Sequence, residues 1–152
     1  MKKLFILTAI LSSYINYAQT NDYVELTRSI LDVETKEAIA EVMTLNETQS
    51  APFWEVYNQY ETENHSVKNK RIALIKDYAK NYESISSEKA DELVNDLLAF
   101  KAEDLKLKKK YYKKMKKIIP ATEAAKFLQA INKIDDLINA ELALNVPLVE
   151  TK

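Results

Sequence analysis

Apolar residues recur at spacings of three, four and seven through the middle of the chain, with polar residues between them. Phe53, Tyr57, Tyr60, Val67, Leu74, Ile75, Tyr78 and Tyr82 follow this rule. Such spacing puts side chains on one face of a helix. It predicts a helix from about Glu47 to Tyr82, its seam interrupted by Asn64 and Arg71. Ala90, Leu93, Val94, Leu97, Leu98, Leu105, Tyr111, Tyr112, Met115 and Ile119 predict another from about Glu88 to Ile118. An approximate stripe of Tyr23, Leu26, Ile30, Val33, Ala38 and Val42 predicts a first helix from about Asp22 to Met43. A last one runs from about Thr122 to Ala143, and Val146 to Val149 leave it as an extended tail. Pro147 cannot continue a helix and pushes Val146 out of helical geometry.

At a rise of 1.5 Å per residue the longest helix is a rod of ~50 Å. Two such rods joined by a short turn at Glu83–Ser87 pack as an antiparallel hairpin. The expected fold is therefore all-α, with four helices, two of them long, forming a helical hairpin layer or bundle. A chain spent on long rods leaves one broad face uncovered, or covered by a second copy.

The helix entries fit this scheme. Asn46 caps with Gln49 three residues on, close to a capping box with Asn in place of Ser or Thr. Ser86 caps the next helix, but Lys89 at the reciprocal position breaks the box. Pro120 opens the last, where its missing N–H costs nothing. An apolar residue precedes each cap, and Phe53, Leu93 and Phe127 lie downstream.

The chain has no glycine, where an average composition of about 7% would supply roughly ten. Without positive-φ residues, β-hairpins, phosphate loops and dinucleotide-binding turns become unfavourable. It has no cysteine either, so packing alone must stabilise it.

Residues 1–18 read as an export signal. Lys2 and Lys3 precede a short apolar run, Leu4 to Leu11, and Ala18 offers a small residue for cleavage. The run is shorter than the ~20 residues that span a bilayer. The expectation is a periplasmic or secreted protein with one helical domain over residues 19–152 and no integral membrane segment after cleavage.

Charge is unevenly placed. The net charge of −1 becomes −3 without Lys2 and Lys3. Lys106, Lys108, Lys109, Lys110, Lys113, Lys114, Lys116 and Lys117 put +8 into twelve residues without an acid, while residues 22–63 carry −8. One consequence is a solvated face matched at long range to the acidic first half. Another is a positive surface, with Tyr111, Tyr112 and Met115 interleaved, for acidic unfolded segments or anionic lipid. Nucleic acid is not expected, because an exported protein of net negative charge rarely meets it.

Catalytic patterns are missing. His65 is the single histidine, so no di-iron Glu-x-x-His pair can form. Serine-hydrolase elbows, zinc-protease helices and Cys–His pairs are also absent. Asp91-Glu92 and Asp135-Asp136 point about 100° apart on a helix and read as surface acids. No enzyme, cofactor or metal site is expected. Trp54, the lone tryptophan, serves as a core anchor or, if exposed, as a partner-binding anchor.

Leu45-Asn46-Glu47-Thr48-Gln49 resembles the LTXXQ motif of the Spy/CpxP-like periplasmic proteins, with Asn46 in place of Thr. The continuation Phe53-Trp54-x-Val56-Tyr57-x-x-Tyr60 is similar to a subgroup linked to extracytoplasmic sigma factors. Ile118-Ile119-Pro120, Ala124-Ala125-Lys126-Phe127 and Val146-Pro147-Leu148-Val149 share that likeness, which covers most of 30–149. The resemblance implies a Spy-like helical fold and an ATP-independent periplasmic chaperone, with a concave client surface on a helical homodimer. The alternative it implies is an accessory or sensor protein in envelope-stress signalling. Metal-responsive relatives carry several histidines, and one histidine argues against that role. Leu45, Asn46 and Gln49 carry over as structural residues. The candidate polypeptide-binding residues are Phe53, Trp54, Tyr57, Tyr60, Lys106, Lys109, Lys110, Lys113, Lys114 and Lys117, for unfolded or partner proteins of the envelope.

Overall fold

A computed structural model describes residues 32–149, so the proposed export signal and most of the first predicted helix lie outside the described residues. The chain divides after Ala40 into two compact units. Helix α1 is described over residues 32–42. It buries Ile39 and exposes Val33 and Val42, which corrects the stripe expected for its described part.

The unit from Glu41 onward is built on three helices: α2 Glu47–Asn81, α3 Ser87–Met115 and α4 Ala121–Asn145. The described residues contain no strand. The long pair, α2 and α3, packs as the predicted hairpin. Its cross-links run in opposite directions: Gln59 to Lys114, Glu63 to Lys110, Lys70 to Glu103 and Asp77 to Lys89. Helix α4 runs parallel to α2, because Phe53 meets Phe127, Arg71 meets Asn139 and Tyr78 meets Pro147.

Local chemistry sets the boundaries. Asn46 accepts from the Gln49 N–H at 3.0 Å, and the Asn46 N–H donates to Gln49 Oε1 at 3.2 Å. Both halves of the capping box are therefore present. Ser86 Oγ accepts from the Lys89 N–H at 3.2 Å. Lys89, which cannot complete a box, turns to Asp77 at 2.6 Å and Glu92 at 3.1 Å. The turn between α2 and α3 manages without glycine. A 3-10 turn, Tyr82–Ser84, leads to an extended Ile85 at φ −77° and ψ 126°, so no left-handed residue is required. Helix α3 ends at Met115, three residues before the expected end, in a turn over 116–118. Helix α4 runs two residues beyond Ala143. Asn145 Nδ2 donates to the Glu141 carbonyl at 2.8 Å there, and Val146 turns extended ahead of Pro147.

The core sits where α2 begins and α3 ends. Phe53, Tyr57, Tyr60 and Val67 of α2 are buried with Leu107, Tyr111 and Met115 of α3, Ile119 after it, and Ala124, Phe127 and Ile131 of α4. Phe127 meets the rings of Phe53, Tyr57 and Tyr60 at centroid distances of 5.8, 6.2 and 5.7 Å. Tyr60 meets Tyr111 edge-on at 5.4 Å. Edge-to-face pairs of this kind are favoured beyond their buried area. Nearer the α2–α3 turn, Leu74, Ile75, Tyr78 and Tyr82 are only half-buried.

The apolar pattern of α3 divides differently from expectation. Leu107, outside the expected seam, is buried, as are Leu93, Tyr111 and Met115. Val94, Leu97, Leu98 and Leu105, expected inside it, are exposed. Residues two apart on a helix lie about 200° apart, so Leu105 and Leu107 cannot share a face. The contacts of Tyr111 with Tyr60 and of Lys108 with Asp135 put α2 and α4 on the Leu107 side.

Candidate functional site

The aromatic members of the candidate surface are mostly enclosed. Phe53 is fully buried, and Tyr57 and Tyr60 nearly so. In this conformation they pack the core and offer no surface to a client. Burial raises the Tyr60 hydroxyl pKa, and the Asp135 charge raises it further. Trp54 is half-buried, edge-on to Phe53 at 5.0 Å and to Tyr57 at 5.2 Å. Leu45 and Gln49 are half-buried and Asn46 is exposed, all at the entry of α2.

The run of eight lysines, six on α3 and two in the turn after it, does not face one way. Lys108 turns inward between Asp104 at 2.8 Å and Asp135 of α4. Burial alone would lower its pKa, but hydrogen bonds to both carboxylates outweigh that and raise it. Asp135 is thus an ion-pair partner that ties α3 to α4, a correction to its reading as a plain surface acid. Lys110 and Lys114 face α2. Lys110 binds Glu63 at 2.6 Å and Lys114 binds Gln59 at 3.0 Å. Their ammonium groups lie 5.4 and 4.7 Å from the Tyr111 ring centre, a cation–π arrangement. The Tyr111 hydroxyl donates to Glu63 at 2.8 Å. Lys110 first, then Tyr111, holds the Glu63 carboxyl below its usual range.

Lys106, Lys109, Lys113 and Lys117 are exposed. Among the described residues they have no carboxylate partner. Lys116 sits 5.0 Å from the centre of the Tyr112 ring. The sequence-predicted lysines are therefore not one site: two brace the hairpin and four face away from it.

Sequence reasoning missed a trough of about 730 Å³ between α2 and α3, nearer the turn. Leu74 and Phe100 give it apolar lining, beside the small Ala73 and Ala99. Lys70, Lys80, Asp77, Asp96 and Glu103 line it with both signs of charge. Its signal was present in the two alanines, which are too small to fill the space between the rods, but the opposed positions become evident only with the hairpin register.

His65 is exposed, its Nδ1 3.3 Å from Asn69 Nδ2. Among the described residues no three His, Cys, Asp or Glu side chains cluster as a metal site would need, and no helix is long and apolar enough to cross a membrane. The chain matches no protein-family model, no curated protein and no solved structure.

Proposed function

We propose that this chain is a non-enzymatic protein of the cell envelope that binds unfolded or partner polypeptide without ATP. The single observation that supports it best is the trough between α2 and α3. Its lining is apolar at Leu74 and Phe100 and bears charges of both signs. That chemistry suits an extended peptide, whose apolar side chains need cover and whose flanking charges vary. With Phe53, Tyr57 and Tyr60 committed to the core, the trough takes the role that the sequence gives to the aromatic stripe.

The test is suppression of aggregation. A chemically denatured client is diluted into buffer with the protein and without nucleotide, and light scattering is followed. Protection should appear at a few-fold molar excess and weaken on Leu74→Ser with Phe100→Ser, with circular dichroism showing retained helix. No protection by the unaltered chain overturns the proposal. Protection that ignores both substitutions moves the site away from the trough.

A further inference from the structure

The side of α3 turned away from the core is unusual in what it lacks. Between residues 94 and 117 the carboxylates are Asp96, Glu103 and Asp104. Each is turned toward the rest of the unit: Glu103 pairs with Lys70, Asp104 pairs with Lys108, and Asp96 lines the trough beside α2. The outward side of this stretch therefore carries no acid.

It carries two adjoining stripes instead. Val94, Leu98, Leu105 and Tyr112 recur at spacings of four and seven, and the first three are 54%, 58% and 67% exposed. Lys106, Lys109 and Lys113 recur at three and four, and Lys117 extends them into the following turn. At about 100° per residue the stripes lie roughly a quarter-turn apart on one cylinder. A flat surface laid against α3 touches both. Lysine stems can lie along it while their ammonium groups reach polar headgroups.

We infer that this face docks α3 in plane onto an anionic lipid surface, with the leucines entering the interface and the lysines meeting headgroup phosphates. A basic face with interspersed leucines and no acid is what an interfacial helix needs. Each lysine near an anionic surface strengthens partition about fivefold. An acidic polypeptide fits less well, because it would leave the leucine stripe unmatched unless it brought its own apolar register. The inference does not rest on polypeptide binding in the trough, which uses another side of α3.

The experiment is vesicle co-sedimentation of the full-length chain with phosphatidylcholine alone and with phosphatidylcholine mixed with phosphatidylglycerol. Residues 1–31 are common to all variants, so their contribution cancels. Lys109→Glu with Lys113→Glu should weaken binding to the anionic vesicles at least ~20-fold, the product of two lysine contributions. Lys36→Glu with Lys133→Glu changes net charge equally at exposed positions on α1 and α4 and should leave binding within about twofold. Leu98→Ser with Leu105→Ser should remove the binding that survives high salt, where the charge term is screened. Circular dichroism of each variant checks that the helices are kept. Equal losses in the two lysine pairs, or an equal loss from Lys109→Glu with Lys113→Glu on neutral vesicles, overturn the inference. So does binding to polyglutamate without binding to anionic vesicles, which assigns the face to acidic polypeptide.

Discussion

Leu105 and Leu107 offer a controlled test of how α3 is seated. They are the same residue on the same helix, two positions apart, yet Leu105 is 67% exposed and Leu107 is 7% exposed. Truncating each to alanine changes intrinsic helix preference identically, by a few tenths of a kcal/mol at most. The difference between the two variants is then packing alone. Leu107→Ala removes buried methyl groups beside the aromatic core and leaves a gap that the neighbouring rods fill only in part. Such changes cost roughly 2–5 kcal/mol, and the small residual exposure of Leu107 places the expected loss near 2–3 kcal/mol. Leu105→Ala removes surface already in water and should cost less than about 0.5 kcal/mol. The measurement is urea unfolding followed by far-ultraviolet circular dichroism. With a slope of roughly 1–3 kcal/mol per M, the Leu107 midpoint should fall by about 0.7–3 M and the Leu105 midpoint by no more than about 0.5 M. Equal falls, or a larger fall for Leu105, would refute the placement of α2 and α4 on the Leu107 side.

Asn46→Ala removes the Asn side-chain acceptor of the capping box, and should cost about 1 kcal/mol in the same unfolding assay. Lys108→Ala leaves Asp104 and Asp135 facing one another without their shared cation, and should cost about 1–2 kcal/mol, since both carboxylates keep some water. Lys109→Ala, an exposed neighbour, should cost almost nothing, and a similar loss for the two would count against the ion-pair account. Lys110 and then Tyr111 hold the Glu63 carboxyl below the usual carboxylate range. A lowered folded pKa means its contribution is complete above the unfolded value and is lost as pH falls through the folded one. Glu63→Gln should therefore lower the melting temperature slightly at neutral pH and flatten its decline below about pH 4.5. A variant that loses stability in parallel with the parent through that window would exclude Glu63 as a contributor. The expected size is small, because Glu63 is substantially solvated and screening weakens such pairs.

The helices themselves are largely a property of the sequence. Their period, the Asn46 and Ser86 caps, and Pro120 and Pro147 act over a few residues, so they mark boundaries whatever packs nearby. The absence of glycine has the same local reach, and the chain accordingly turns between α2 and α3 through a 3-10 segment and an extended residue. The hairpin follows as well, because two long rods joined by a short turn have little choice but to lie side by side.

Which side of each rod becomes core is a different matter. Helix α3 carries apolar residues around more than half its circumference: Leu93, Leu107 and Tyr111 on one side, Val94, Leu98 and Leu105 on another. Periodicity within one helix describes both stripes equally well. Only the positions of α2 and α4 decide between them, burying Leu107 and leaving Leu105 in water. The lysine run divides by the same rule: proximity to Asp135, Glu63 and Gln59 commits Lys108, Lys110 and Lys114, and among the described residues Lys106, Lys109, Lys113 and Lys117 have no carboxylate partner. Secondary structure is legible because its physics is local. The working surfaces are not, because they are whatever the packing of distant segments leaves uncovered.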